Sequence, residues 1–274
     1  TYNKIINQIL KNLPTLTEWH DKDTLKNFNN QLKQVHSEFY FERDKNEKNG
    51  QSPNDLSSDK KELFALKTAY QRSSKNSQEE EISPKDFYEK AGIWAEFGKI
   101  ICISVGYFTT QKKARVFRVK SFYGSKEKQI LEDFKQLLED HFSKAGHKLC
   151  GHNGKEFDFP YIARRMIVNR IDLPKKLNLF GKKPWEVPHL DTLEMWKFGD
   201  YKHYTSLKLL TTLLEIPSPK EDIDGSQVAV VYYQEKDLKR IVRYCEKDTI
   251  AVAQVFLRYN NEELLEEEEL VFAE

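Results

Sequence analysis

Between Lys99 and Phe108 the chain runs through ten nearly continuous apolar residues rich in Ile and Val. That composition suits a strand covered on both faces, which requires layers of structure on either side of a sheet. The next segments of the chain supply them. Residues Arg115–Tyr123 alternate as a second strand, with Val116 and Arg118 on one face and Phe117 and Val119 on the other. Gly106 and Thr109–Lys113 leave room for a turn, so the two strands should pair as a hairpin. Glu127–Ala145 then sets Ile130, Leu131, Phe134, Leu137, Leu138 and Phe142 on one helical stripe before Gly146. A short strand at Lys148–Gly151, a helix at Tyr161–Asn169 and a short strand at His189–Asp191 come next. Helices at Ser206–Leu214 and Lys236–Leu257 complete the series. The fold class is α/β, a mixed sheet flanked by helices.

The first 85 residues read differently and are taken as a helical, low-complexity appendage or insertion to a domain spanning 86–274. Ile5, Ile6, Ile9 and Leu10 recur at helical spacing, as do Leu25, Phe28, Leu32 and Val35. Leu63, Phe64, Leu66 and Tyr70 suggest a short helix. Arg43–Lys61 and Gln71–Glu81 are too polar to offset chain entropy, so mobile loops are expected there.

Composition narrows the function classes. No apolar run reaches membrane-spanning length, which argues against a membrane partner. Three cysteines (Cys102, Cys150 and Cys245), none in a CxxC pair, exclude a disulfide framework or zinc ribbon and suit a reducing cytoplasm. The histidines at 152, 189 and 203 lack metal-ligand spacing. A net charge of +1 conceals a basic stretch over Lys112–Lys120, a pair at Arg164 and Arg165, and an acidic tail at Glu262–Glu269. The tail reads as a solvated helix end.

The chemistry points to GHNGKEFDFPY, Gly151–Tyr161, and to YCEKD, Tyr244–Asp248. Asp158 falls where a strand gives way to a helix; it suits metal ligation, though Asp is also a favoured helix cap. Asp248 lies one helical turn from Tyr244 on the same face. In order and spacing these segments resemble the second and third motifs of the predicted PolB-like 3′–5′ exonucleases, a bacterial group of the DEDD superfamily with an RNase H-like fold. The resemblance spans roughly Asp86–Tyr259 and takes in Tyr88–Phe108, Gly181–Thr192, Trp196–Leu210 and Ile216–Val228.

It implies a nuclease, similar to the proofreading domain of family-B DNA polymerases, that releases nucleoside monophosphates from the 3′ end of single-stranded nucleic acid. Asp158 and Asp248 would be metal ligands for two Mg²⁺ or Mn²⁺ ions. Tyr244 would position the attacking water, a Tyr-type site, since Arg243 stands where the His-type subclass places its histidine. Asn153 and Phe157 would hold the 3′-terminal nucleotide, with Asp191 and Ser206 in supporting hydrogen bonds. Lys155, Arg164 and Arg165 would hold phosphate by proximity. Trp185 and Trp196 read as core.

One departure is serious: the family's first motif, a strand ending Asp-x-Glu, is not found. It could precede Thr1, which is the expectation; it could be degraded to Asp21–Thr24; or it could be lost, leaving an inactive module that binds nucleic-acid ends. By the resemblance that strand is central, and its absence would expose unpaired backbone groups at about 1–3 kcal/mol each. The chain as it stands is expected to be inactive.

Overall fold

In the computed structural model, residues 34–43, 58–72, 82–200, 204–217, 223, 225 and 227–273 are described, 34–43 as backbone strand. The helix expected from Ile5, Asp21–Thr24, most of the two polar stretches, and His203 lie outside these; of the helix expected over Leu25–Val35 only the last two positions are described, and they are strand, with Val35 paired to Leu149.

Among the described residues, six strands form one mixed sheet in the order β5-β4-β1-β2-β3-β6. They are β1 (Gln34–Arg43), β2 (Gly98–Gln111), β3 (Ala114–Tyr123), β4 (Lys148–Gly151), β5 (Leu190–Asp191) and β6 (Leu270–Ala273). β2 and β3 make the expected hairpin, Gln111 opposite Ala114. β1 is antiparallel to β2 and parallel to β4. It belongs to the stretch read as an appendage, yet it fills the central place that the resemblance gives to the first motif. Its sequence contains no Asp-x-Glu. The register slips between Tyr40 and Phe41, which face Cys102 and Ile100, so Ile101 is an extra residue in β2. The bulge resets the inward alternation. Ile100, Ile103 and Val105 therefore pack on one face, while Ile101 and Cys102 pack on the other.

The first face is covered by α2 (Glu127–His141) and α3 (Asp158–Val168). Ile130, Leu131, Phe134, Phe159, Ile162 and Met166 join the β2 side chains there. The other face is covered by α6 (Leu238–Tyr259), whose Ile241, Val242 and Cys245 meet Ile101 and Cys102. Further along α6, Val252 and Phe256 meet Cys150 on β4. A separate aromatic cluster joins Phe64 of α1 (Ser58–Arg72) to Tyr88 and Phe97 in edge-to-face contacts at 5.1 Å each. Of the four apolar residues expected to define α1, Leu63, Leu66 and Tyr70 are exposed. Two short helices, α4 (Thr192–Lys197) and α5 (Leu207–Leu213), lie beyond β5.

The acidic tail does not form a helix end. Glu267–Glu269 make one 3₁₀ turn, and β6 then adds to β3 in parallel. Arg115 supplies the reason. Its guanidinium donates to both Glu269 carboxylate oxygens at 2.7 and 2.8 Å, and to the Glu263 and Leu264 carbonyls at 2.8 Å each. Part of the basic stretch is thus spent on the chain's own tail.

A second arginine corrects the phosphate reading. Arg165 is buried and donates to Glu127 through Nε at 2.8 Å and Nη2 at 2.6 Å, and to the Ala95 carbonyl through Nη1 at 2.7 Å. Glu127 also accepts from the Ile100 N–H at 2.7 Å and the Asn169 amide at 2.9 Å. Breaking such a pair strands a charge in the interior, at about 3–5 kcal/mol. Arg165→Met should lower the unfolding free energy by about that amount in urea titrations. Adding Glu127→Met should recover part of the loss, because no charge is then left unpaired. A loss below about 1 kcal/mol in the single variant would show the pair to be dispensable.

Candidate active site

The loop after β4 packs closely around its glycines. A Cβ on Gly151 would lie 3.2 Å from the Gly154 Cα, and one on Gly154 would lie 3.1 Å from the Phe159 ring. Between them Asn153 takes a left-handed conformation, φ 64°, which Asn tolerates better than most side chains. Asp191 holds this turn. Its carboxylate accepts from the backbone N–H groups of Asn153 at 2.9 Å, Lys155 at 3.0 Å, Leu193 at 3.0 Å and Glu194 at 3.2 Å. One buried acid thus caps α4 and fastens the Gly151–Lys155 loop to the end of β5. Ser206 caps α5 through the Leu209 N–H, 3.3 Å.

Two histidines serve as tethers. His152 Nε2 donates to the Thr205 carbonyl at 2.8 Å, leaving Nδ1 to the Thr192 hydroxyl at 2.9 Å. His189 Nδ1 accepts from the Leu149 N–H at 3.3 Å, and its Nε2 donates to the Lys176 carbonyl at 2.7 Å. Both rings are used as neutral donor–acceptor bridges. Burial lowers the pKa of each, and that of His189 to about 4.

Asp158 is the first residue of α3 and is 5% exposed. The residue before it, Phe157, stands at the cap position, and no side chain caps this helix. Burial raises the Asp158 carboxyl well above its ordinary range; the Asp191 charge raises it further, and its own backbone N–H draws it down less. Asp248 is 8% exposed on α6, and burial pushes it to about 7. Its neighbours fix its place. Cys245 packs on β2, Val252 packs on β4, and the Thr249 hydroxyl reaches the Ser104 carbonyl of β2 at 3.4 Å. Since β1 runs between β2 and β4, this stretch of α6 crosses β1. Tyr244, one turn earlier, is partly buried against the same cluster as Cys245. Phe157 is partly buried beside Tyr161, ring centroids 5.8 Å apart.

Thus Asn153, Phe157 and Asp158 share the loop-to-helix junction, with Asp191 beside them, while Tyr244 and Asp248 share the helix on the other face of the sheet. Among the described residues, no three His, Cys, Asp or Glu side chains form a metal-holding group. Lys155, offered for phosphate, donates to Glu194 at 2.6 Å. Trp196 is partly buried against a core cluster, stacked on Tyr259 at 6.1 Å. Trp185 is not: its indole is exposed. It sits in the 3₁₀ turn Pro184–Glu186, which leaves it outside.

With this geometry in place, comparison with protein families gives the class. Residues 93–270, more than half the chain, match the model of a predicted 3′–5′ exonuclease related to the exonuclease domain of PolB. The chain belongs to that family, an exonuclease-like domain whose substrate class is nucleic acid. No described helix is long and apolar enough to cross a membrane.

The His189 tether carries a pH signature. Its folded pKa, about 4, lies below the ordinary value of 6.5, so the unfolded chain takes up the proton first as pH falls. Its stabilising contribution is complete above about pH 6.5 and is lost as pH drops through about 4, on the order of 3 kcal/mol in all. In urea titrations at intervals from pH 7.5 to 4, the wild type should lose that increment and His189→Gln should lose much less. Equal slopes would remove the tether from the acid response.

Proposed function

We propose that this protein is a metal-dependent 3′–5′ exonuclease acting on single-stranded ends, with Asp158 and Asp248 as metal ligands. The observation that carries the reading is the burial of both carboxyls at under a tenth exposure, each with its pKa pushed up. An acid kept in that condition gains by meeting a divalent cation, which restores the charged form and offsets the desolvation cost. Hard carboxylate oxygens suit Mg²⁺ or Mn²⁺, with water and substrate phosphate completing the shell. Bound ions would activate a water and neutralise charge at the scissile phosphate.

The remaining roles fall to the chain. The Tyr244 hydroxyl, one turn from Asp248, orients the water that attacks. Asn153 offers an amide to the terminal nucleotide, and its left-handed backbone is held by Asp191. Phe157 gives that nucleotide an apolar surface. Asp191, already accepting four N–H groups, keeps the loop in register and is not assigned to metal. One observation favours a second reading, a nuclease-shaped module that holds nucleic-acid ends without cutting: among the described residues two acids stand as candidates and no group of three forms.

Digestion of 3′-labelled single strands in Mn²⁺ tests the assignment. Asp158→Ala and Asp248→Ala should each lower the rate by at least about 10³-fold, equivalent to about 4 kcal/mol. Tyr244→Phe should leave substrate affinity intact and lower kcat. Full activity in either aspartate variant overturns the site; binding of strands without digestion by the wild type favours the second reading.

A further inference from the structure

On the side of α3 away from Asp158 the protein has a cavity of about 500 Å³, lined by neither Asp158 nor Asp248. Asn153 and Asp191 bound one end. The wall is the α3 face of Pro160, Ala163, Arg164 and Ile167, which at about 100° per residue centres roughly opposite Asp158. The floor is apolar, with Leu173, Leu177, Leu179 and Leu193. At the rim stand Arg164, Lys182 and Lys197. Of the other charges of the lining, Lys155 pairs with Glu194 and Asp191 accepts its four N–H groups, which leaves the carboxylate of Glu156 beside the three cations.

One large aromatic lines this opening and two more follow lining residues in the chain, and all three are exposed. Phe180 lines it and is 74% exposed; Trp185, between the lining residues Pro184 and Val187, is 75% exposed; Phe198, next to Lys197, is 93% exposed. The segment that carries the first two is turned at Gly181, φ 70°, and closed by a 3₁₀ turn in which Glu186 accepts from the Lys183 N–H at 2.8 Å. Lys183 Nζ lies 5.4 Å from the Trp185 ring. Aromatic planes left in water beside an apolar slot, with cations at the rim, match one ligand chemistry closely. Flat bases stack on aromatic rings at about 1–3 kcal/mol each, and phosphates follow Arg and Lys. The volume is that of a small-molecule pocket, enough for a base and its sugar.

We propose that this cavity and its aromatic rim seat an unpaired nucleotide of the substrate strand, set back from the terminal residue at Asn153. The strand would pass around the N-terminal end of α3, its last nucleotide on the Asn153 side and an earlier base on Phe180 or Trp185. This inference deepens the exonuclease reading and rests on it for the presence of a strand. It adds a specificity: tight binding requires several unpaired nucleotides.

The test is fluorescence anisotropy of the full chain with 5′-labelled oligothymidylates of about four and about sixteen nucleotides, the range of known single-strand sites. The longer probe should bind more tightly to the wild type. Phe180→Ala/Trp185→Ala should lose at least about tenfold on the longer probe and little on the shorter. Trp185→Phe, which keeps an aromatic plane, should retain the affinity. Unchanged melting temperatures will confirm folding, as both side chains are exposed. Wild-type binding of the longer probe by the double Ala variant overturns the proposal; so does an equal loss on both probes. The same preparations, assayed for digestion, separate the two ideas. Loss of length-dependent binding alongside full activity of Asp158→Ala would keep the seat and remove the catalytic assignment. Normal binding by the double variant alongside an inactive Asp158→Ala would remove the seat alone.

Discussion

The buried Glu127–Arg165 pair is the contact on which the arrangement of this protein turns. It joins four pieces that lie apart along the chain: the start of β2 through the Ile100 N–H, the preceding turn through the Ala95 carbonyl, the first turn of α2, and α3. Neither charge could be buried alone, because desolvation would exceed anything gained by packing. Together, with the Asn169 amide completing the carboxylate, they fix how α3 lies on the sheet. Asp158 sits at the N-terminal end of that helix, and the apolar cavity lies along its opposite face. One ion pair therefore sets the orientation of both.

Asp191 does for the loop what Glu127 does for the helices. Its carboxylate accepts four backbone N–H groups from two segments, so the Gly151–Lys155 turn cannot shift without losing charge-assisted bonds. The cost appears at Asp158, whose carboxyl is pushed up partly by that fixed negative charge. Burial raises the proton affinity of the neighbouring acid most, and the residue that stiffens the loop adds to it. His152 and His189 extend the same logic, as neutral rings that bridge β4 to the segments on either side of β5.

Much of the fold was legible because it is written in local periodicities. The β2–β3 hairpin, β4 at Lys148–Gly151 and the amphipathic stripes of α2 and α6 need only neighbouring residues to declare themselves. The junction at Asp158 was legible for the same reason, as a strand end followed by a helix start. Other features were not. Arg165 next to Arg164 reads as a basic pair, and nothing local tells that one is enclosed by Glu127 while its neighbour faces water. Glu262–Glu269 reads as a solvated acidic end, since its partner Arg115 lies far back in the sequence. Trp185 reads as core on hydrophobicity alone, and only the turn around it leaves it outside.

The sequence by itself determined the class of fold and the order of its main elements, because side-chain period and turn chemistry act over a few residues. Tertiary structure decided which charges are buried, which aromatics reach solvent, how β6 closes one edge of the sheet and which segment, Gln34–Arg43, lies at its centre. Those outcomes depend on partners brought together from distant parts of the chain, where desolvation and pairing are settled only once the layers have met.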